Sequence, residues 1–205
     1  MGDQMLFGVQ WYYWAILLVA IIIAIFAWVK ALKAGKERRE RLKKEAAIWK
    51  RDYELREKFT VLTEEKLNST EETELLHGVA MNIQAMLEKS TDMTESFNAL
   101  PNEKKYIYVL EYFDEDAKKA LSTFFKNNGD PLISVVPDAL NAIGENKYIE
   151  HYGKLLPMYD PDSEVSIDYG IISKVDEEFS SIYDSDKLCR SSAKYILKNK
   201  NIFLA

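Results

Sequence analysis

Two histidines, His77 and His151, and one cysteine, Cys189, are the only imidazole and thiol groups of the chain. Glu74 and His77 have the Glu-x-x-His spacing that places two metal ligands on one face of a helix in di-iron bundles. Such a centre needs a second copy of the motif, but the residue three positions before His151 is Tyr148. The sequence therefore predicts no metal centre of this kind.

The acidic segment from Asp160 to Glu164 begins like a calcium-binding loop. Position six of that loop requires Gly and position twelve requires Glu, but Val165 and Ile171 stand there. Cys189 has a cationic neighbour, Arg190, which can lower a thiol pKa, although a lone cysteine in a helical pattern is more often buried. We find no phosphate-binding glycine loop, nucleophile elbow or zinc pair. We predict no catalytic residue and no cofactor, and hence a protein that is not an enzyme.

Charge is distributed unevenly along the 205 residues. The composition, with 47% hydrophobic and 29% charged residues, excludes a fully disordered chain and a polytopic membrane protein. Residues 1–58 contain 12 basic and 7 acidic side chains, whereas residues 59–205 contain 15 basic and 26 acidic ones. The two parts are therefore expected to have different roles.

Residues 11–29 form a run of nineteen residues without a charge. As a helix this run would be about 28 Å long, close to the hydrocarbon thickness of a bilayer. The preceding residues carry no basic side chain, which disfavours a signal peptide. The sequence thus predicts a transmembrane helix with an aromatic belt at both interfaces. The belt residues are Trp11, Tyr12, Tyr13, Trp14 and Trp28.

The residues that follow this run favour one orientation, because eight basic and only two acidic side chains lie between residues 30 and 44. We predict a single-pass protein of the bacterial inner membrane, with residues 1–10 outside and the C-terminal part in the cytoplasm. The basic side chains expected to lie against anionic lipid include Lys30, Lys33, Arg38 and Arg39.

Residues 30–68 are predicted to form a charged helical stalk, because they contain no proline and a single glycine. Leu42, Ala46, Trp49 and Tyr53 recur at helical spacing on one face. Two heptads are too few to predict a coiled coil, so homo-oligomerisation through this face stays open. The alternative is that Trp49 packs on the folded domain.

Residues 69–205 are predicted to form a compact, acidic, all-α domain, since strand signals are nearly absent. Ser69 and Glu72 have capping-box spacing at its first helix, and Asp114 is expected to cap a helix that follows it. Pro101 is expected to open a helix, and Gly144 to end one.

Two acidic clusters within this domain are predicted to be exposed, because neighbouring residues of a helix cannot all face a core. Their negative charge suits a basic protein partner, and the alternative is that it serves only solubility. Direct binding of nucleic acid is disfavoured, since phosphates would be repelled. The candidate partner-binding residues are Asp114, Glu115, Asp116, Asp176, Glu177 and Glu178.

Four stretches of the domain carry a family resemblance, covering roughly residues 100–205. They are Ala120–Asp130, Asp138–Gly144, Val175–Phe179 and Tyr195–Ile196. Together they resemble the family of acidic, all-helical bacterial domains that is named after a DNA-mimic protein. The chain departs from the family pattern at Ser122 and Thr123, where glycines are common. The resemblance implies a binding module whose carboxylates imitate a phosphate backbone, and it implies no catalytic residues.

The leading functional prediction is a membrane-anchored protein-interaction module that presents its acidic helical domain to the cytoplasm. The alternative is an assembly subunit of a membrane complex, with the transmembrane helix as its interface. An enzyme with an unrecognised carboxylate site is the third hypothesis.

Overall fold

The computed structural model describes residues 5–6 and 9–204 of the chain. For residues 5, 6, 9–15, 20–25, 27, 29, 31, 34, 37, 44 and 45 it describes the backbone but not the side chain. The chain divides into two compact units, Met1–Tyr53 and Glu54–Ala205. The predicted domain boundary near Ser69 therefore lies inside the second unit.

The first unit contains two short strands and most of one long helix. Strand β1 (Met5–Leu6) pairs antiparallel with β2 (Val9–Gln10), and Met5 lies opposite Gln10. Helix α1 (Trp11–Lys58) is 48 residues long, and its last residues belong to the second unit. Its length follows from the absence of proline, because proline would remove a backbone hydrogen bond and clash with the preceding turn.

A membrane span is not found in the part of the chain that the structure describes, where no helix is both long and apolar enough to cross a bilayer. By this finding the predicted transmembrane helix at 11–29 is wrong. Three predictions that depend on this helix are wrong for the same reason: the single-pass topology, the inner-membrane location and the outward-facing segment 1–10.

The same finding contradicts the prediction that certain aromatic and basic residues lie at a membrane interface. The described ones are exposed on α1, namely Trp28, Lys30, Lys33, Arg38 and Arg39. The side chains of Trp11, Tyr12, Tyr13 and Trp14 lie outside the described residues. Lys30 instead has a contact within its own helix, since its Nζ lies 5.1 Å from the ring centroid of Phe26, in a cation–π arrangement.

The second unit consists of short and medium helices, which confirms the all-α prediction. After the end of α1 the order is α2 (Glu64–Ser69), α3 (Glu72–Leu87), α4 (Met93–Asn98), α5 (Asn102–Ala117), α6 (Leu121–Asn127), α7 (Leu132–Ile143), a 3-10 helix (Asn146–Tyr148), α8 (Ile149–Tyr159), α9 (Tyr169–Ile182), α10 (Ser185–Lys198) and α11 (Lys200–Phe203).

Several helix ends follow directly from the local sequence. Thr63, Asp92 and Asp184 each accept a hydrogen bond from a backbone N–H in the first turn of the helix that follows. Gly144 ends α7 with a φ of +82°, as predicted, because glycine adopts this left-handed conformation without a steric penalty. The capping box predicted at Ser69 is wrong, since this residue ends α2 and α3 begins without a side-chain cap.

The core of the second unit is built around α5, which packs against α3, α6, α7 and α10. The Phe113 ring lies 5.6 Å from Phe124, 6.2 Å from Phe179 and Tyr183, and 6.3 Å from Tyr152, measured between centroids. These mostly edge-to-face and tilted contacts add to the stabilisation from apolar burial. Phe124 and its neighbour Phe125 are both buried in this core.

The end of α1 also belongs to this core. Leu55 and Phe59 are buried, and the Phe59 ring covers Gly78 of α3 so closely that a side chain there would overlap it. Asn82 Nδ2 donates hydrogen bonds to the carbonyl oxygens of Phe59 (2.8 Å) and Thr60 (3.2 Å). The carbonyl groups left free where α1 ends are thus satisfied by α3.

Candidate interaction surface

Asp114 is buried within a polar cluster beside the aromatic core. It accepts a 2.6 Å hydrogen bond from the Tyr183 hydroxyl and forms a 2.5 Å ion pair with Lys118. Burial, together with the Asp114 charge, raises the pKa of Tyr183 far above its usual value. The same causes raise the pKa of Cys189 to about 11, so this thiol is protonated and unreactive at neutral pH. Asp114 therefore serves the fold rather than a partner.

Asp116 is buried as well. Its carboxylate accepts hydrogen bonds from Asn127 Nδ2 (2.9 Å) and Asn128 Nδ2 (3.1 Å), and it lies 3.3 Å from Lys119 Nζ. These contacts attach the turn after α6 to the end of α5. Only Glu115, the middle residue of the predicted cluster, is exposed.

The predicted role of this first cluster at a helix start is wrong, because Asp114 and Asp116 lie in the last turn of α5. The apolar stripe of α5 continues through Phe113 to Ala117, so the helix extends past the acidic residues. Carboxylates at a helix C-terminus interact unfavourably with the helix dipole. The ion pairs and hydrogen bonds of Asp114 and Asp116 offset that cost.

Asp176 of the second cluster caps another helix rather than facing a partner. Its two carboxylate oxygens accept bonds from the Ser122 backbone N–H (2.8 Å) and hydroxyl (2.7 Å). Ser122 lies in the first turn of α6, where Ala120, at the N-cap position, provides no side-chain acceptor. A carboxylate from α9 thus performs the capping that the local sequence of α6 lacks.

The other two residues of this cluster differ from each other. Glu178 lies 3.6 Å from Lys154 and 3.9 Å from both Lys174 and His151 Nε2. Glu177 is exposed, and no contact of its carboxylate is found among the described side chains. Of the six predicted partner-binding residues, Glu115 and Glu177 alone are both exposed and outside the described contacts that support the fold.

The histidines do not form a metal site with these acids. His77 Nδ1 contacts Glu111 Oε1 of α5, while Glu74 pairs with Lys58 at 3.4 Å. Among the side chains that the structure describes, no group of three or more metal-ligating residues comes together.

A different surface, which the sequence reasoning missed, lies between α8 and α9. We call residues 160–171 the apolar–acidic segment. It exposes four large apolar side chains: Val165 (50%), Ile167 (51%), Tyr169 (76%) and Ile171 (46%). Large apolar groups exposed in one continuous stretch are typical of interaction sites rather than of ordinary surface. The alternation of Val165, Ile167 and Tyr169 is visible in the sequence, but the sequence does not show that these side chains are exposed.

Carboxylates position this segment and surround its apolar side chains. Asp160 Oδ1 accepts a 2.9 Å bond from the Asp162 N–H, which forms a turn after α8. Asp168 caps α9 by accepting from the N–H groups of Gly170 (2.8 Å) and Ile171 (3.1 Å). The remaining acids, Asp162 and Glu164, are exposed and make no side-chain contact that the structure describes.

A cleft of about 200 Å³ is lined by residues of α3, α4 and α5 and by the turn before α7. Two of its polar side chains, Tyr108 and Asp130, are already engaged in the fold. The Tyr108 hydroxyl lies 3.2 Å from that of Tyr112, and Asp130 accepts from the Ser134 N–H at 3.1 Å. The cleft therefore has fewer free polar groups for binding a ligand than the apolar–acidic segment has for binding a protein.

Comparison of the chain with known protein families, with curated proteins and with solved structures found no match. The resemblance to the DNA-mimic family therefore stays a prediction, neither supported nor contradicted.

Proposed function

We propose that the unit Glu54–Ala205 is a protein-interaction module that binds a basic protein partner through its apolar–acidic segment. The observation that carries this proposal is the exposure of Val165, Ile167, Tyr169 and Ile171 in one stretch that also contains four carboxylates. A monomeric surface gains nothing from exposing these groups, whereas a partner would bury them and stabilise the complex by the hydrophobic effect.

Charge supports a basic partner. The unit contains 17 basic and 28 acidic residues, a formal net charge of −11. Between residues 160 and 178 there are seven acidic side chains and a single basic one, Lys174. A surface of one sign attracts a partner of the opposite sign and raises the association rate. The same charge repels the phosphates of nucleic acids, which favours a protein as the partner.

The apolar side chains supply the affinity in this proposal. Tyrosine is enriched among residues that dominate binding energy, and Tyr169 is the most exposed member of the segment. The carboxylates of Asp162 and Glu164 form a polar rim, where substitutions change the association rate and its salt dependence more than the dissociation rate.

A photo-crosslinking amino acid placed at Ile167 of the full chain tests this proposal. The same group at Val61, an apolar position of the unit that is 62% exposed against 51% for Ile167, is the control. A partner recovered from Ile167 but not from Val61 is then purified, and its affinity is measured with the triple variant Asp162→Asn, Glu164→Gln and Glu177→Gln. We expect weaker binding by this variant, and weaker binding as salt rises past about 0.15 M.

A second triple variant, Glu65→Gln, Glu71→Gln and Glu72→Gln, removes the same charge from α2 and α3 and should bind normally. If both triple variants lose the same affinity, the loss is due to net charge and not to the position of the carboxylates. Binding that ignores salt and both sets of substitutions would refute an electrostatic role of the segment, and equal crosslinking from Val61 would refute its location.

A second candidate function is self-association through α1. Leu42, Ala46, Trp49 and Tyr53 form an exposed stripe at spacings of four, three and four residues. A second copy of the helix would bury this stripe in a seam of the coiled-coil type. Light scattering of the full chain tests this candidate, and Trp49→Glu should convert a dimer to a monomer.

A further inference from the structure

We propose that residues 163–168 bind by strand addition, pairing their backbone with an open β-sheet edge of the partner. This inference rests on the proposed function and specifies the partner as a protein with a free, basic sheet edge. Addition of an extended segment to a sheet edge is a general mode of peptide recognition.

The backbone of the segment is available for such pairing. Residues 163–168 are in no helix or strand, and Asp168 is extended, with a φ of −115° and a ψ of 105°. The Val165 N–H donates to Ser163 Oγ at 3.1 Å. Over the described residues, the backbone groups of Ser166 and Ile167 make no hydrogen bond with the protein. They are exposed to water and can exchange that hydration for bonds to a sheet edge.

The side chains have the periodicity of a strand. Val165 and Ile167 alternate with Glu164, Ser166 and Asp168, so an extended segment has one apolar and one polar face, and Tyr169 follows as the first residue of α9. Valine and isoleucine are also residue types that strands favour. The first face would enter shallow apolar sites on the partner, and the second would place carboxylates next to basic side chains.

Charge makes a second copy of the chain a poor occupant. Every copy brings the acids of the segment and no basic residue between positions 160 and 173. Two such strands side by side would bring carboxylates together, and like charges on neighbouring strands are destabilising. The same carboxylates protect the exposed segment from pairing with itself.

The probe for this inference is a cyclised β-hairpin peptide of alternating lysine and valine with one open edge. Its matched control has identical side chains but N-methylated amides along that edge, so it cannot form strand pairing. Both are titrated into the full chain by calorimetry. We expect the open-edge hairpin to bind, and the methylated one to bind at least about tenfold more weakly, as the loss of one or two net hydrogen bonds implies. Amide exchange at Ser166 and Ile167 should slow when the open-edge hairpin is bound.

Val165→Ser with Ile167→Ser should weaken binding of the open-edge hairpin, while Val61→Ser should not. The single variant Val165→Ser is the control for misfolding: its melting temperature should equal that of the unmodified chain. Equal binding of both hairpins would overturn strand addition but leave the proposed function standing. No binding of either hairpin would overturn both. A dimer of the chain that the Ile167 substitution disrupts would make a second copy the occupant and also overturn the inference.

Discussion

Replacing Gly78 by alanine should destabilise the second unit, although alanine is normally the better helix former. Gly78 lies inside α3, where the exchange alone would stabilise by about 1 kcal/mol. A methyl group at this position would overlap three ring atoms of Phe59, which is fully buried and cannot move into solvent. Overpacking of this kind costs about 1–3 kcal/mol, and the confined ring places the cost near the upper limit. We expect a net loss of about 2 kcal/mol.

Gly153→Ala is the matched control for this substitution. Gly153 lies inside α8, and nothing comes within 4 Å of a Cβ built on it. There the helix propensity of alanine is unopposed, so we expect a gain of up to about 1 kcal/mol. The assay is thermal unfolding of the full chain followed by circular dichroism. A loss of 2 kcal/mol lowers the melting temperature of a unit of this size by about 4–8 °C.

The double variant Phe59→Leu with Gly78→Ala identifies the cause. If the ring is the obstacle, the two substitutions are strongly non-additive, because the smaller side chain leaves room for the methyl group. A melting temperature raised equally by Gly78→Ala and Gly153→Ala would refute the packing of Phe59 on α3. It would also remove the reason for beginning the folded unit at Glu54.

Three further predictions concern the same unit. Asp176→Ala should lower the free energy of unfolding in urea by about 2 kcal/mol, because it removes two hydrogen bonds to a carboxylate. The control Glu177→Gln, at an exposed position, should change it by less than about 0.5 kcal/mol. Equal effects of the two substitutions would contradict the capping role of Asp176. A chain truncated to 69–205 should melt at least about 10 °C below the full chain, because it lacks the buried end of α1, and an unchanged melting temperature would contradict that packing. Since burial raises the pKa of Cys189 to about 11, its thiol stays protonated when folded but ionises near pH 8.5 when unfolded. Its contribution to stability should be complete below about pH 8 and be lost as the pH rises towards 11, and Cys189→Ala should reduce this alkaline loss.

The sequence predicted those features of the fold that depend on residues close together in the chain. The all-α class and the left-handed helix end at Gly144 are confirmed because each follows from nearby residues. The apolar alternation of residues 165–169 is also visible in the sequence, but the exposure of these side chains depends on how α8 and α9 pack.

Features that depend on contacts distant in sequence were not predictable in this way. Asp114 was predicted to cap a helix that follows it, yet its carboxylate accepts a hydrogen bond from Tyr183, which lies 69 positions later in the chain. The charge count of a cluster cannot distinguish a buried, paired carboxylate from an exposed one. The span at 11–29 was predicted from the length of an uncharged run and its aromatic ends, but no helix of the described residues is both long and apolar enough to cross a bilayer.

The capping of α6 by Asp176 has a consequence for the order in which the unit assembles. Helix α6 is seven residues long, and a helix of this length is unstable in water without outside support. Because its cap is delivered by a residue 54 positions later in the chain, α6 can become stable only after α9 has docked. Amide hydrogens of α6 should therefore exchange with solvent at the rate at which α9 detaches, and the two helices should open as one cooperative unit.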